Sequence, residues 1–107
     1  MNATLKLTLS INESMPNGEV LFIIRKKLMK RMATFKKNTN DFIPKSCTVR
    51  FELAGRNQFF EKSDYILFAH DIAKMFGTEC RWHTEALIPV IGAKHNLIIY
   101  ITLTDEG

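Results

Sequence analysis

Residues Glu19–Lys37, with the sequence EVLFIIRKKLMKRMATFKK, form the longest stretch of the chain with one physical character. Apolar side chains recur in it every three or four positions, which is the period of an amphipathic helix. These side chains are Leu21, Ile24, Leu28, Met32 and Phe35. The spacing predicts a long helix whose apolar stripe covers another layer of the protein.

The rest of this helix is basic. Seven of the fifteen Lys and Arg residues lie between Arg25 and Lys37, and no Asp or Glu occurs between Val20 and Asn40. The remainder of the chain has eight basic residues against eleven acidic ones, so the net charge of +4 has a local origin. Localised positive charge favours a phosphate-bearing or acidic partner.

Two interpretations of the basic surface are open, a phosphate track and a plain solvated helix face. Solvated faces usually mix charges of both signs, because opposite charges four residues apart stabilise a helix. This face has no acid of its own to pair with. The residues predicted to contact phosphates are Lys26, Lys27, Lys30, Arg31, Lys36 and Lys37. Phe22, Ile23 and Met29 widen the apolar side, but no membrane partner is expected, because the stripe is needed to cover a sheet.

Strict alternation of apolar and polar residues predicts strands at Ala3–Ile11 and Cys47–Ala54, each with one dry face and one solvated face. Glu13–Gly18 is predicted to be a loop in which Asn17 or Gly18 caps the long helix. Polar residues 38–41 and the following proline at position 44 are expected to end that helix.

The second half of the chain is expected to contain a turn at 55–57 and a short return strand at Gln58–Glu61 that carries Phe59 or Phe60 inward. Ser63 or Asp64 is predicted to cap a second helix that ends at Gly77. Its apolar stripe is Tyr65, Phe68, Ala69, Ile72, Ala73 and Phe76.

Two further strands are predicted, at Thr78–Val90 and His95–Thr104, with a turn at 92–94 between them. The last strand is rich in Ile and Leu on both faces, which favours a central position in the sheet. The predicted order is β-α-β-(β)-α-β-β, a single α+β domain over residues 1–107. Both helices are expected on one face of a mostly antiparallel or mixed sheet, in a two-layer α/β sandwich. This element order resembles that of small nucleic-acid-binding folds, the Alba type and the C-terminal domain of translation initiation factor three.

The open face of the sheet is a second candidate surface. By strand parity it displays Lys6, Thr8, Arg50, Glu52, Arg81, His83, Glu85 and Tyr100. Sheets that bind RNA place several aromatic rings on such a face, whereas Tyr100 is alone here and acids interrupt the positive charge. An ordinary polar face is therefore favoured, although Arg50, Arg81 and Tyr100 are predicted to extend the nucleic-acid surface. If Ile98 and Leu87 also point outward, a partner protein or a second subunit is the expected explanation.

Composition and short motifs point to a cytoplasmic protein without a cofactor. Cys47 and Cys80 are interpreted as reduced thiols, and no apolar run is long enough to cross a bilayer. Cys80 and His83 should point to opposite faces of a strand, so they cannot share a metal ion. No glycine-rich phosphate loop or nucleophile elbow occurs, and no catalytic residue is assigned.

The layout of Cys47–Thr104 resembles that of small phage-type Holliday junction resolvases. That resemblance implies magnesium-dependent cleavage by acids before and after a helix. The nearest residues in this chain are Glu61, Asp64 and Glu79, and the paired aspartates of those enzymes are missing.

Three functions follow from these observations. The first is non-catalytic nucleic-acid binding through the basic helix. The second is a protein-binding module, or an inhibitor or accessory factor of a phage or mobile element, that docks on an acidic partner surface. The third is the metal-dependent nuclease.

Overall fold

The computed structural model describes residues 2–11, 17–40, 42–54, 60–88 and 95–105. Four strands and two helices occur in the order β-α-β-α-β-β. They are β1 (Asn2–Ser10), α1 (Asn17–Asn38), β2 (Ser46–Ala54), α2 (Lys62–Phe76), β3 (Cys80–Leu87) and β4 (Asn96–Thr104). The predicted α+β sandwich is confirmed.

The sheet is mixed, with the strand order β1-β4-β2-β3. Strand β4 pairs antiparallel with both β1 and β2, whereas β2 and β3 run parallel. The predicted central position of the last strand is therefore confirmed. Backbone hydrogen bonds from the N–H of Ile11 to His95 (2.8 Å) and from the N–H of Lys45 to Thr104 (2.8 Å) extend the pairing of β4 with both neighbours.

Both helices cover the same face of the sheet. The strand side chains on that face are buried and belong to one core with the apolar stripes of α1 and α2. The strand residues are Leu5, Leu7, Leu9, Cys47, Val49, Phe51, Leu53, Leu97, Ile99, Ile101 and Leu103. An aromatic cluster lies under α2, where the ring of Phe51 is 5.1 Å from that of Tyr65 and 5.9 Å from that of Phe68.

The helix ends differ from prediction in detail. Helix α1 already begins at Asn17, so Asn17 and Gly18 lie in its first turn and not before it. The N-cap of α2 is Glu61, and the prediction of Ser63 or Asp64 is wrong. Asp64 instead accepts a hydrogen bond from the Glu61 N–H (2.9 Å), because a carboxylate in the first turn can reach back to the cap. Gly77 ends the helix in the left-handed conformation (φ 69°), as predicted.

Three other predictions are corrected or untested. The third strand spans only Cys80–Leu87, so Thr78 and Glu79 precede it. Phe60 is buried, as one alternative had it, but it is not in a strand. The turns at 55–57 and 92–94, and positions 58–59 of the return strand, lie outside the described residues. Neither helix of the described chain is long and apolar enough to cross a membrane.

Candidate nucleic-acid interface

Helix α1 presents its cations on the side that faces away from the sheet. All six residues predicted to contact phosphates are exposed. The opposite face of the helix packs against the core through four buried residues, which leaves the basic residues in solvent. The buried residues are Val20, Ile24, Leu28 and Met32. The Lys36 ammonium donates a hydrogen bond to the Met75 carbonyl (3.0 Å). Among the described residues, no carboxylate forms an ion pair with the other five.

Arg25 is the exception on this helix. Its Nε and second guanidinium nitrogen donate to the two carboxylate oxygens of Asp71 at 2.8 and 3.0 Å. The hydrogen bonds that Arg25 donates to Asp71 raise the pKa of Arg25, against the effect of burial. The expectation that the basic face has no acid to pair with is therefore wrong at Arg25. The acid comes from the other helix, 46 residues along the chain, a distance at which a single sequence carries no pairing signal.

Removing this pair is expected to destabilise the fold modestly. Asp71→Ala should lower the free energy of unfolding by about 1 kcal/mol, because the pair is bidentate but partly exposed. A double-mutant cycle with Arg25→Ala, measured by urea unfolding, should give a coupling energy of about 0.5–1 kcal/mol. Strictly additive effects would mean that the two side chains do not stabilise each other.

The open sheet face displays a row of four side chains in register: Lys6 on β1, Tyr100 on β4, Arg50 on β2 and His83 on β3. The Arg50 guanidinium lies 4.2 Å from the centroid of the Tyr100 ring, and the Lys6 nitrogen lies 5.6 Å from it. Cations therefore already contact the aromatic ring. This arrangement leaves less of the ring for stacking on a base.

Acids offset the positive charge of the same face. Arg50 Nε is 3.2 Å from Glu52 Oε1, and His83 Nε2 is 3.6 Å from Glu85 Oε1. Ile98 and Leu87 share this face, and Leu87 is 38% exposed. The open face is thus mixed in sign and partly apolar, unlike the outer face of α1.

The structure divides the predicted site residues between two sides of the molecule. The six on α1 are exposed on the helical layer, where Lys26 and Lys36 line the groove toward α2. Arg50, Arg81 and Tyr100 lie on the far side of the sheet, because α1 packs on the face to which those residues do not point. The two groups do not form one continuous surface, and contact at the sheet residues stays a separate prediction.

The acids considered for a nuclease are not brought together. Glu61 and Asp64 lie at the first turn of α2, whereas Glu79 follows its C-terminal end. A helix of 15 residues separates these ends by about 22 Å. Cys80 points toward Cys47 and the core, while His83 is exposed on the open face. Within the described ranges, no three His, Cys, Asp or Glu side chains cluster as metal ligands would.

The two thiols are paired across the parallel strands β2 and β3. Cys47 is buried, Cys80 is half-buried, and the two are register partners. A hydrogen bond from the Cys47 thiol lowers the pKa of Cys80, although burial opposes the shift. The same contact, together with burial, raises the pKa of Cys47. Sequence alone could not reveal this contact, because it depends on which strands are neighbours.

The thiol pair predicts unequal reactivity. Iodoacetamide should modify Cys80 first and from a lower pH, since the thiolate is the nucleophile, and should modify Cys47 only after unfolding. Cys47→Ala removes the donor, so the pH midpoint of Cys80 labelling should rise. Cys47→Ser keeps a donor and should raise the pH midpoint of Cys80 labelling less. Mass spectrometry of the labelled peptides measures both sites, and preferential labelling of Cys47 would contradict the assignment.

Comparisons with known proteins assign no family to the chain. No protein-family model matches the chain, and no curated protein matches it. A solved structure that resembles it is the GDP-bound monomer of CetZ1 from Haloferax volcanii, with 12% identity and a TM-score of 0.49. The alignment covers 95% of this chain and 28% of that one. A likeness at this level supports no functional argument.

Proposed function

We propose that the domain binds nucleic acid without catalysis, and that the exposed cations of α1 contact the phosphates of the nucleic acid. Lys26, Lys30 and Lys37 lie on one line along the helix, Lys27 lies beside that line, and Arg31 flanks the apolar stripe. The distance from the first to the last of these residues corresponds to about 16 Å of helix. The proposal places the protein in the cytoplasm, where Cys47 and Cys80 stay reduced.

One observation carries the proposal: six cations of α1 are exposed and have no carboxylate partner among the described residues. Unpaired surface cations repel one another, and phosphates relieve this repulsion. Binding also releases the counterions condensed on the nucleic acid, which is the main source of affinity in phosphate contacts. The sheet face is less suited to this role, because Glu52 lies beside Arg50 and Glu85 adds a second negative charge.

Contacts of this kind give affinity with little sequence preference, because phosphates are the same at every base. The test is fluorescence anisotropy of a labelled duplex and a labelled single strand of unrelated sequences at several salt concentrations. Log K should fall linearly with log salt, with a slope of about −2.7 to −3.6 for three or four duplex phosphates. Heparin should compete with the labelled nucleic acids for the protein. The absence of binding at low salt, or affinity independent of salt, would contradict the proposal.

A further inference from the structure

The two helices leave an apolar groove between them, and its apolar side chains have no role in the proposed phosphate contacts. Its volume is about 760 Å³, and Phe22, Met29 and Met75 supply apolar surface along it. Phe22 is 67% exposed and Met29 is 42% exposed, whereas Ile24, Leu28 and Met32 of the same helix are buried in the core. Methionine and phenylalanine side chains form adaptable surfaces for apolar ligands.

The rim of the groove is positive. Lys26 and Lys36 come from α1, and Lys74 comes from α2. Asp71 is the only acid that lines the groove among the described residues, and Arg25 contacts both of its carboxylate oxygens. The Arg25–Asp71 pair is therefore neutral, and the three lysines determine the sign of the field.

We infer that this groove binds an acidic amphipathic helix of a partner protein. Phe22, Lys26 and Met29 are spaced by four and three residues, so apolar and basic groups alternate along successive turns of α1. A partner helix with an apolar stripe and acidic flanks would match both groups. From Phe22 to Lys36, α1 rises by about 21 Å, which corresponds to roughly 14 residues of a bound helix.

An apolar floor distinguishes this occupant from nucleic acid. Duplex phosphates gain nothing from contact with Phe22 and Met29, whereas buried apolar side chains of a peptide gain roughly 25 cal/mol per Å². The surface is also concave and has walls from two helices, which fits a rod better than a flat bilayer. The inference shares Lys26 and Lys36 with the proposed phosphate contacts, but it rests on Phe22, Lys74 and Met75, which are not among those contacts.

The probe is a labelled 16-residue helical peptide with Leu and Phe at positions i, i+3, i+4 and i+7 and Glu at the others. Wild-type protein should bind it in a saturable 1:1 complex by anisotropy. Peptides with Lys in place of Glu, or Ser in place of Leu and Phe, should bind at least about 10-fold more weakly. Equal binding of the acidic and basic peptides would overturn the inference.

Protein variants locate the site. Phe22→Ser and Lys74→Glu should each weaken peptide binding at least about fivefold. Substitutions at Ile66 and Lys62 are the matched controls and should not weaken peptide binding. Ile66 is an exposed apolar residue of α2, Lys62 is an exposed lysine of α2, and both lie outside the groove. These controls are Ile66→Ser and Lys62→Glu, and circular dichroism checks that every variant is folded.

Three outcomes would overturn the inference. One is equal loss of peptide binding in the control variants. Another is displacement of the peptide by an oligonucleotide whose own binding depends on Phe22 and Lys74, which would assign the groove to nucleic acid. The last is Phe22-dependent binding to vesicles of anionic phospholipid without binding of the acidic peptide. Lys30→Glu should leave peptide binding unchanged while it weakens duplex binding, so failure of one proposal is distinguishable from failure of the other.

Discussion

Phe51→Ala is expected to lower the free energy of unfolding by about 3–5 kcal/mol. Phe51 is fully buried on β2, and its ring contacts the aromatic rings of both α2 and β3. Those rings belong to Tyr65, Phe68 and Trp82, with centroids 5.1, 5.9 and 6.1 Å away. Loss of the ring leaves a cavity where the two layers meet, and neighbours fixed by the sheet can only partly fill it. Thermal unfolding by circular dichroism should show a melting temperature lower by more than about 12 °C.

Phe22→Ala is the matched control for this prediction, since the same side chain is removed from a site that is 67% exposed. It should change the free energy of unfolding by less than about 0.5 kcal/mol. If Phe51→Ala does not fold, Phe51→Leu should still fold, with a smaller loss of about 1–2 kcal/mol. A loss below about 1 kcal/mol for Phe51→Ala would mean that this ring is not the centre of the core.

Reversing three charges on α1 is expected to have the largest effect on binding. Lys26→Glu, Lys30→Glu and Lys37→Glu combined should weaken duplex binding at low salt by more than about 100-fold, since phosphate contacts supply nearly all non-specific affinity. Each lost contact should also reduce the salt slope by about 1, so little salt dependence should remain. Anisotropy titrations of wild type and variant measure both quantities.

The control for net charge is a second triple variant with Lys6→Glu, Lys62→Glu and Arg81→Glu. It changes the net charge by the same six units, and all three side chains are exposed away from the outer face of α1. Its duplex affinity should fall much less than that of the α1 variant. Equal losses would mean that total charge, and not the α1 surface, determines binding.

Most of the correct predictions about the fold came from the periodicity of apolar residues within single elements. The alternation in β1 and β2, the stripe of α2 and the density of Ile and Leu in β4 all report burial within one element. Gly77 was identifiable because a left-handed helix end favours a residue without a Cβ atom. The N-cap of α2 was missed because Glu61, Ser63 and Asp64 are all polar, and sequence does not distinguish a cap from a first-turn acid that bonds back to it.

Relations between distant elements were not predictable. The Arg25–Asp71 pair and the Cys47–Cys80 contact depend on which helices and strands are neighbours. The separation of Arg50, Arg81 and Tyr100 from the α1 cations follows from the layer order, since helices on one face of a sheet leave the other face open. The exposure of Phe22 and Met29 depends on where α2 packs against α1, and their apolar character in the sequence had suggested only a wider stripe.

The phosphate proposal is tested by titrating the isotope-labelled wild-type domain with a short duplex and following the amide chemical shifts in NMR spectra at low salt. The phosphate proposal predicts that the largest changes fall on the exposed face of α1, at Lys26, Lys27, Lys30 and Arg31, and that they fade as salt is added. Amides at Arg50, Arg81 and Tyr100 should change little. Changes confined to the open sheet face, or none at all at low salt, would contradict the central claim.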